Sequence, residues 1–377
     1  MFAFLLLASL GCRRSLPDTD AATPVPTPAE PPAATADTGV DGRAWPTLAG
    51  WTHDTTAIGP WGQHQIVWTP AGPGILASRH TVPPELVWLT PDGSGGFDEQ
   101  RVAIGGDFGR AAVLGDEVHV AFVDVASATL RYAVGPGSWT VGSVDDARTV
   151  DPAVDIAVHP TLGPTIAFGD PAATSLVIAY PSSPTWHTSE APLARTNGTR
   201  VRIEITPSGR RWTLDVVGLS TLGYRLMPYE GDAYGLATQF QHPGAWDDLD
   251  LDLDPHGRQQ LVLGHPERPC RWQNGSINVG AETDPLPGTD CRSPSIQVDA
   301  LTRTQISWTS TGEPGIHLAR WGGLVWQHLQ PVGADDFDGF GASSMVLDPD
   351  GVPHFSFLAT PLGGSEPVLV YATWAGF

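Results

Sequence analysis

One turn and the strand that follows it give the clearest signal in this chain: DPDGVPHFSF, residues 348–357. Proline presets the backbone at the second turn position, glycine permits the tight exit, and aspartate caps the turn. The same x-Pro-x-Gly turn recurs between apolar stretches at residues 69–72, 206–209 and 254–257, and with one extra residue at 159–163. Its recurrence indicates a chain built from repeated β units.

An apolar anchor residue in the strand after each turn sets the period of the repeat. Successive anchors lie 45 to 49 residues apart. A third strand follows each anchor, and a fourth opens with an aromatic residue in several units, as at Trp139 and Trp326. Four short strands in each of seven units predict an all-β fold, a seven-bladed β-propeller of four-stranded blades. The anchors are Ala77, Phe122, Phe168, Leu214, Leu263, Trp308 and Phe357.

The two ends of the repeat region complement each other. The seventh unit stops at Phe377 after its third strand, whereas the region opens with WTHDTTAI, residues 51–58, which resembles a fourth strand. An N-terminal strand that completes the last blade would close the ring and remove its open edges. We therefore expect residues 44–377 to form the propeller, with the last blade closed by the N-terminal strand.

The composition excludes several classes of protein. The chain has 41 acidic and 20 basic residues, all of the latter arginine, and a formal net charge of −21. Binding of nucleic acid needs clustered basic side chains, so we expect no nucleic-acid partner. After residue 12 no apolar run reaches the roughly 18 residues that a membrane-spanning helix needs. We expect a monomer that carries no cofactor and no metal.

The first forty residues predict where the protein resides. Residues 2–11 form a short apolar run that ends with Gly11 before Cys12, which resembles a bacterial lipoprotein signal with a lipidated cysteine. Residues 13–43 are rich in Pro, Ala, Thr and Asp and favour an extended, solvated tether. We expect residues 1–12 to be the signal and Cys12 to anchor the protein to the bacterial cell envelope, at the outer membrane or cell surface. The alternative is a secreted protein whose signal is cleaved together with Cys12.

The seventh unit also carries a recognisable repeat motif. After the turn come His354-Phe355-Ser356-Phe357 and then Leu369-Val370-Tyr371-Ala372. This resembles a repeat of secreted bacterial β-propellers, in which Asp-x-x-Gly-x-Pro-His-x-x-aromatic is followed by Leu-x-Tyr-Ala and then Trp. The resemblance covers residues 51–377 and implies the fold and a secreted setting. That family has no uniform activity, so the resemblance implies little about function.

The strand before each turn supplies the candidate site residues. The first strand of each unit lies nearest the propeller axis, and along it polar residues alternate with apolar ones, as at Arg202 and Glu204. Alignment of the turns gives one equivalent polar position in most units, with Arg110 as the nearest match in unit two. A ring of mixed polar residues could bind a ligand in the central channel; the alternative is a solvated channel in which two arginines and two aspartates compensate each other. The positions are Gln65, Arg110, Asp155, Arg202, Asp250, Ser295 and Ser344.

Two acidic stretches and three tryptophans admit both a functional and a structural interpretation. Residues 248–254 alternate Asp with Leu as a strand does, and they lack the glycine that a calcium loop needs at its sixth position. Residues 335–339, DDFDG, lie between two units and are a better candidate for a cation-binding loop. The alternative is a solvated acidic loop. Trp61, Trp246 and Trp321 depart from the repeat and could stack against sugars, or could pack in the core or in loops.

Two cysteines remain after the predicted signal. Cys270 lies on the third strand of unit five and Cys291 lies just before unit six. Outside the cytoplasm such a pair should oxidise, so we predict a structural disulfide that stabilises the fold by about 3 kcal/mol.

Catalytic signatures of the common hydrolases, metalloproteases and nucleotide-binding proteins are missing from the sequence. We therefore predict no specific catalytic residue. The first hypothesis is an envelope-tethered, non-catalytic binding or scaffold propeller that recognises a carbohydrate or an envelope protein. The alternative is a polysaccharide hydrolase or lyase in which channel carboxylates such as Asp155, Glu204 and Asp250 act as acid and base.

Overall fold

A computed structural model describes residues 51–374 with short gaps. The residues left out within this range are 146–147, 151, 173–174, 184, 192–195, 218–222, 231–232, 235–237, 242–247, 275–283, 287, 324 and 336. The predicted signal, the tether and Cys12 therefore lie outside the described residues. The described part is all β, and no helix in it is long and apolar enough to cross a membrane.

The strands form seven antiparallel sheets in chain order, which are the blades. Blade 1 contains β2 (Trp61–Thr69), β3 (Gly72–Arg79), β4 (Glu85–Pro91) and β5 (Phe97–Ile104). Blade 2 contains β6 (Gly106–Leu114), β7 (Glu117–Asp124), β8 (Thr129–Gly135) and β9 (Thr140–Asp145). Blade 3 contains β10 (Val154–His159), β11 (Gly163–Asp170), β12 (Ser175–Ser182) and β13 (Thr185–Glu190).

Blades 4 to 7 follow the same order from the inner to the outer strand. Blade 4 contains β14 (Thr196–Ile205), β15 (Arg211–Val217), β16 (Gly223–Glu230), β17 (Ala233–Tyr234) and β18 (Thr238–Gln241). Blade 5 contains β19 (Asp248–Leu253), β20 (Gln259–His265), β21 (Arg268–Asn274) and β22 (Asp284–Pro285). Blade 6 contains β23 (Arg292–Val298), β24 (Thr304–Ser310), β25 (Gly315–Trp321) and β26 (Trp326–Gly333); blade 7 contains β27 (Phe337–Leu347), β28 (Pro353–Pro361) and β29 (Val368–Trp374).

The N-terminal strand completes the last blade, as predicted. Strand β1 (Trp51–Ile58) pairs antiparallel with β29, and the sheet order is β1-β29-β28-β27. One expectation at this end needs correction. Residues 335–339 are not a loop throughout, because the long inner strand β27 already begins at Phe337. The side chain of Phe337 is buried in the core, which explains why the strand starts there.

Apolar side chains fill every junction between neighbouring blades. The described residues contain seven buried clusters, one at each junction from blades 1 and 2 round to blades 7 and 1. All seven predicted anchors are at most 2 % exposed and belong to these clusters. Because each strand presents side chains to both faces of its blade, one blade contributes to two clusters. The ring is thus packed around its whole circumference.

The predicted disulfide is confirmed. Cys270 and Cys291 form a disulfide with a Cα–Cα distance of 4.9 Å, which joins β21 to the segment that enters blade 6. The repeat motif of the seventh unit brings its histidine and tyrosine together, because Nδ1 of His354 lies 2.8 Å from the hydroxyl of Tyr371. Both residues are buried between neighbouring strands of blade 7.

Candidate functional site

The seven inner strands surround a central channel that contains a cavity of about 360 Å³. Every inner strand contributes to its lining. All seven polar positions predicted from the sequence lie in this lining, so the fold brings the predicted ring together in space. The ring residues are Gln65, Arg110, Asp155, Arg202, Asp250, Ser295 and Ser344.

Strand alternation places a second layer of lining residues, most of them polar, two positions before the ring. This layer lies at the end of the channel where the inner strands begin, which we call the mouth. Arg200 and Asp248 form an ion pair there, with 3.0 Å between Nε and Oδ1. The sequence analysis did not assign either residue to the channel, although counting two positions back from Arg202 and Asp250 would have done so. The remaining mouth residues in the lining are Gln63, Ser293 and Ala342.

Backbone irregularities accompany the mouth. Register shifts occur near the beginning of five inner strands, β2, β6, β14, β23 and β27. Phe108 and Ser293 have left-handed backbone conformations, with φ of 54° and 46°, at the corresponding positions of β6 and β23. Bulges of this kind bend a strand and redirect its side chains, so they shape the entrance to the channel.

A second cavity of about 320 Å³ adjoins the mouth. It shares Arg200, Asp248, Ser293 and Ala342 with the channel. The half-buried ring of Phe340 lies in its wall, together with residues of blades 5 and 6. The channel therefore continues sideways at its mouth into a groove.

Most ring side chains bind the backbone of the next blade. Five of the seven ring positions accept a hydrogen bond from an amide on the neighbouring inner strand, which would otherwise lie unpaired at the edge of its sheet. These bonds connect Gln65 to Ala111 (2.8 Å), Asp155 to Ile203 (2.8 Å), Asp250 to Ile296 (2.9 Å), Ser295 to Met345 (3.4 Å) and Ser344 to Ile66 (3.3 Å).

The two arginines of the ring cannot take this role, because a guanidinium group has no acceptor. Arg202 instead donates from Nε to Oδ1 of Asp250 at 2.6 Å. Arg110 makes no hydrogen bond and no ion pair within 4.0 Å with any residue that the structure describes. Burial, with repulsion from Arg202 second, lowers the pKa of Arg110 to about 10. Arg110 therefore remains protonated at neutral pH and is a cation without a close counterion.

Three carboxyl groups of the inner strands of blades 3 to 5 have raised pKa values. Burial is the largest cause for Asp155, for Asp252, whose pKa rises to about 7, and for Glu204, whose pKa lies well above its ordinary value. Asp252 accepts hydrogen bonds from the amides of Val298 and Leu253, which oppose the shift. Glu204 makes no hydrogen bond to a described residue and lines the cavity.

The remaining candidates do not form a second site. Trp61 is buried, and the guanidinium of Arg79 lies 4.8 Å from the centre of its ring. Trp321 packs against Trp272 and Trp326 in the cluster between blades 5 and 6. Their positions support the packing interpretation, whereas Trp246 lies outside the described residues. The acidic stretch from residue 248 is strand β19, and the described residues contain no cluster of three or more potential metal ligands.

Comparisons with known proteins identify the fold and no family. No family model matches the chain, and no curated protein matches it. A protein of unknown function from Dyadobacter fermentans is 10% identical with a TM-score of 0.50, and the match covers 87% of this chain and 100% of that one. The N11 neuraminidase-like protein of the flat-faced bat virus H18N11 is 11% identical with a TM-score of 0.47, covering 88% of this chain and 95% of that one. A candidate 6-phosphogluconolactonase from Bacteroides uniformis is 14% identical with a TM-score of 0.47, covering 71% and 84%.

Proposed function

We propose that the protein is an envelope-tethered, non-catalytic binding propeller whose central channel recognises a carbohydrate. The supporting observation is the 360 Å³ cavity, to which all seven inner strands contribute polar side chains. A concave cavity of this size suits a small polar ligand, whereas a protein partner would need a broad surface. The hydroxyl groups of a sugar are donors and acceptors at once, which matches a lining of arginines, carboxylates, serines and glutamine.

The hydrogen bonds of the carboxylates favour binding over catalysis. Both oxygens of Asp250 are already engaged, one by Arg202 and one by the amide of Ile296. One oxygen of Asp155 is bound to the amide of Ile203. These two groups hold neighbouring blades together, so neither is a freely placed acid or base.

One observation supports a second candidate, a polysaccharide hydrolase or lyase. Glu204 lines the cavity, makes no hydrogen bond to a described residue, and has a raised pKa caused first by burial. A protonated carboxyl group in a channel can act as a general acid. Release of reducing ends or unsaturated products from a polysaccharide, lost in Glu204→Gln, would establish this activity in place of simple binding.

The binding proposal is tested by blocking the channel. Residues 43–377 are screened on a broad glycan array with and without calcium, as the wild type and as Ala342→Trp. Ala342 is exposed at the mouth and lines both cavities, so a tryptophan there obstructs entry without removing a side-chain hydrogen bond. Leu362→Trp, at an exposed turn of the same blade, is the matched control.

We expect selective glycan binding that Ala342→Trp abolishes and Leu362→Trp preserves. Binding that survives Ala342→Trp would place the site elsewhere on the molecule. A blank array would contradict the carbohydrate proposal and favour an envelope protein as the partner, to be sought by cross-linking.

The envelope location is a separate proposal. It is supported by the apolar run at residues 2–11, by Gly11 and Cys12, and by the Pro-rich stretch that follows. We expect the full chain, produced in a bacterium, to incorporate an alkyne-labelled fatty acid and to fractionate with membranes. Cys12→Ala should remove both properties. Equal labelling of the two chains would exclude lipidation at Cys12.

A further inference from the structure

Three consecutive blades present hydrogen-bond donors to the channel and no unoccupied carboxylate. In blade 1, Oε1 of Gln65 accepts the amide of Ala111 at 2.8 Å. A backbone N–H pairs with an oxygen, so this bond fixes the orientation of the side-chain amide. Nε2 of Gln65 then has no partner among the described residues and is available to donate.

The ring residues of the two blades beside Gln65 also have donors that are available to a ligand. In blade 7, Oγ of Ser344 accepts the amide of Ile66 at 3.3 Å, which leaves its hydroxyl hydrogen to donate. In blade 2, Arg110 carries five N–H donors and has no hydrogen-bond partner in the described part of the chain. We call Ser344, Gln65 and Arg110 the donor arc; all three line the cavity.

The ring residues of blades 3 to 5 have a different character. Asp155, in blade 3, binds Ile203 through one oxygen only, so its other oxygen remains an acceptor. In blades 4 and 5 the charge of Arg202 is balanced by Asp250 at 2.6 Å. The donor arc thus contains the one ring cation that lacks a counterion within 4.0 Å among the described residues. Asp155 and Asp250 attract Arg110 only from beyond this distance, so its charge is incompletely compensated in a partly buried site, and an anionic ligand would offset that cost.

We propose that the donor arc binds a carboxylate, so that the ligand of the channel is an acidic saccharide such as a uronic-acid-containing glycan. This inference rests on the proposed carbohydrate-binding function. The planar guanidinium of Arg110 matches both oxygens of a carboxylate, and Gln65 and Ser344 add neutral donors. The hydroxyl groups of the same sugar bind Asp155, the ring residue of the blade next to Arg110.

The test compares a glucuronate-terminated oligosaccharide with its glucose-terminated counterpart by isothermal titration calorimetry. Gln65→Glu keeps the oxygen that binds Ala111 but replaces the amide donors with a second carboxylate oxygen. Arg110→Gln removes the cation. Arg101→Gln, on the outer strand of blade 1 and 59% exposed at its side chain, removes the same charge far from the channel.

We expect the acidic oligosaccharide to bind at least about tenfold more tightly than the neutral one. Arg110→Gln and Gln65→Glu should each remove this preference, whereas Arg101→Gln should leave both affinities within about twofold of those of the wild type. If Arg110→Gln does not fold, Gln65→Glu decides the question. Equal affinities of the wild type for the two sugars would overturn the anion site and leave the carbohydrate proposal standing.

Failure of both oligosaccharides to bind would contradict the proposed function, and the anion site is then tested alone. A ligand that binds only the folded state raises its Tm. Free glucuronate and acetate should raise the Tm of the wild type but not that of Arg110→Gln or Gln65→Glu. No rise in the wild type would overturn the inference.

Discussion

The carboxylate of Asp250 binds a backbone amide of the next blade and an arginine of the previous blade. Oδ2 accepts the amide of Ile296 from the next blade, and Oδ1 accepts Nε of Arg202 from the previous one. Only 14% of the Asp250 side chain and 13% of the Arg202 side chain are exposed. Removal of the carboxylate would therefore leave a largely buried cation and a buried amide unpaired.

We expect Asp250→Ala to lower the free energy of unfolding by about 3–5 kcal/mol, because breaking a buried ion pair from one side leaves the other charge uncompensated. Urea unfolding of the variant against the wild type measures this loss. Asp98→Ala, at an exposed position of β5, should cost less than about 0.5 kcal/mol. A similarly small loss for Asp250→Ala would show that the ring does not hold the blades together.

Asp252 makes stability depend on pH. Burial raises its pKa to about 7, above the value of about 3.9 for an unfolded chain. Between these values the folded state keeps a proton that the unfolded state has lost, so the contribution of Asp252 to stability falls as pH rises from about 4 to 7. The wild type should lose more unfolding free energy between pH 5 and pH 8 than Asp252→Asn. Equal losses in urea unfolding would show that Asp252 ionises normally; Asp98→Asn is the control.

The ring positions could be predicted from sequence, but the side-chain atoms that remain available to a ligand could not. The turns aligned six of the seven positions directly. Arg110 was only the nearest match, because unit two turns through Gly115 and Asp116 without the proline that marks five of the other units. Which atom of Gln65 or Ser344 remains available depends on an amide of the adjacent blade, some 46 residues or more away in sequence. The pattern of residues within one unit therefore cannot predict such a contact.

Among the secondary-structure elements, β1 has a distinct role in closing the ring. Its pairing with β29 covers the edge that blade 7 would otherwise expose. A chain that begins at Gly59 lacks β1, whereas a chain that begins at Arg43 keeps it. We expect the longer chain to be monomeric and the shorter one to unfold at a lower temperature and to self-associate, because an open strand edge pairs with other chains. Light scattering after size exclusion and thermal unfolding measure both effects, and indistinguishable chains would contradict this role of β1.

The strands also differ in how clearly the sequence predicts them. The second strands were located from their anchors because an apolar residue recurs there and is fully buried, as at Phe168 and Phe357. Outer strands are largely exposed, as β5 is, so the alternation that identifies a strand is weak in them. Blade 4 illustrates the result: two short segments, β17 and β18, share the position beside β16. In blade 5, the described residues at this position form the two-residue β22.

The charge of the whole molecule opposes the ligand that we infer for its channel. The chain carries a formal net charge of −21, and at low salt this field repels an approaching acidic glycan. The contact with Arg110 acts at short range in a poorly solvated site, so salt screens it less than it screens the long-range repulsion. The net charge should therefore affect the association rate constant, and the contact with Arg110 should affect the dissociation rate constant.

This separation leads to a kinetic prediction. Salt shortens the Debye length from about 30 Å at 0.01 M to about 8 Å at 0.15 M, which should weaken the repulsion. The association rate constant of a glucuronate-terminated oligosaccharide should then rise with salt over this range, while that of its neutral counterpart stays constant. Stopped-flow fluorescence or surface plasmon resonance measures both. A rate constant that falls with salt would mean that Arg200 and Arg292, which line the groove at the mouth, attract the ligand more strongly than the whole molecule repels it.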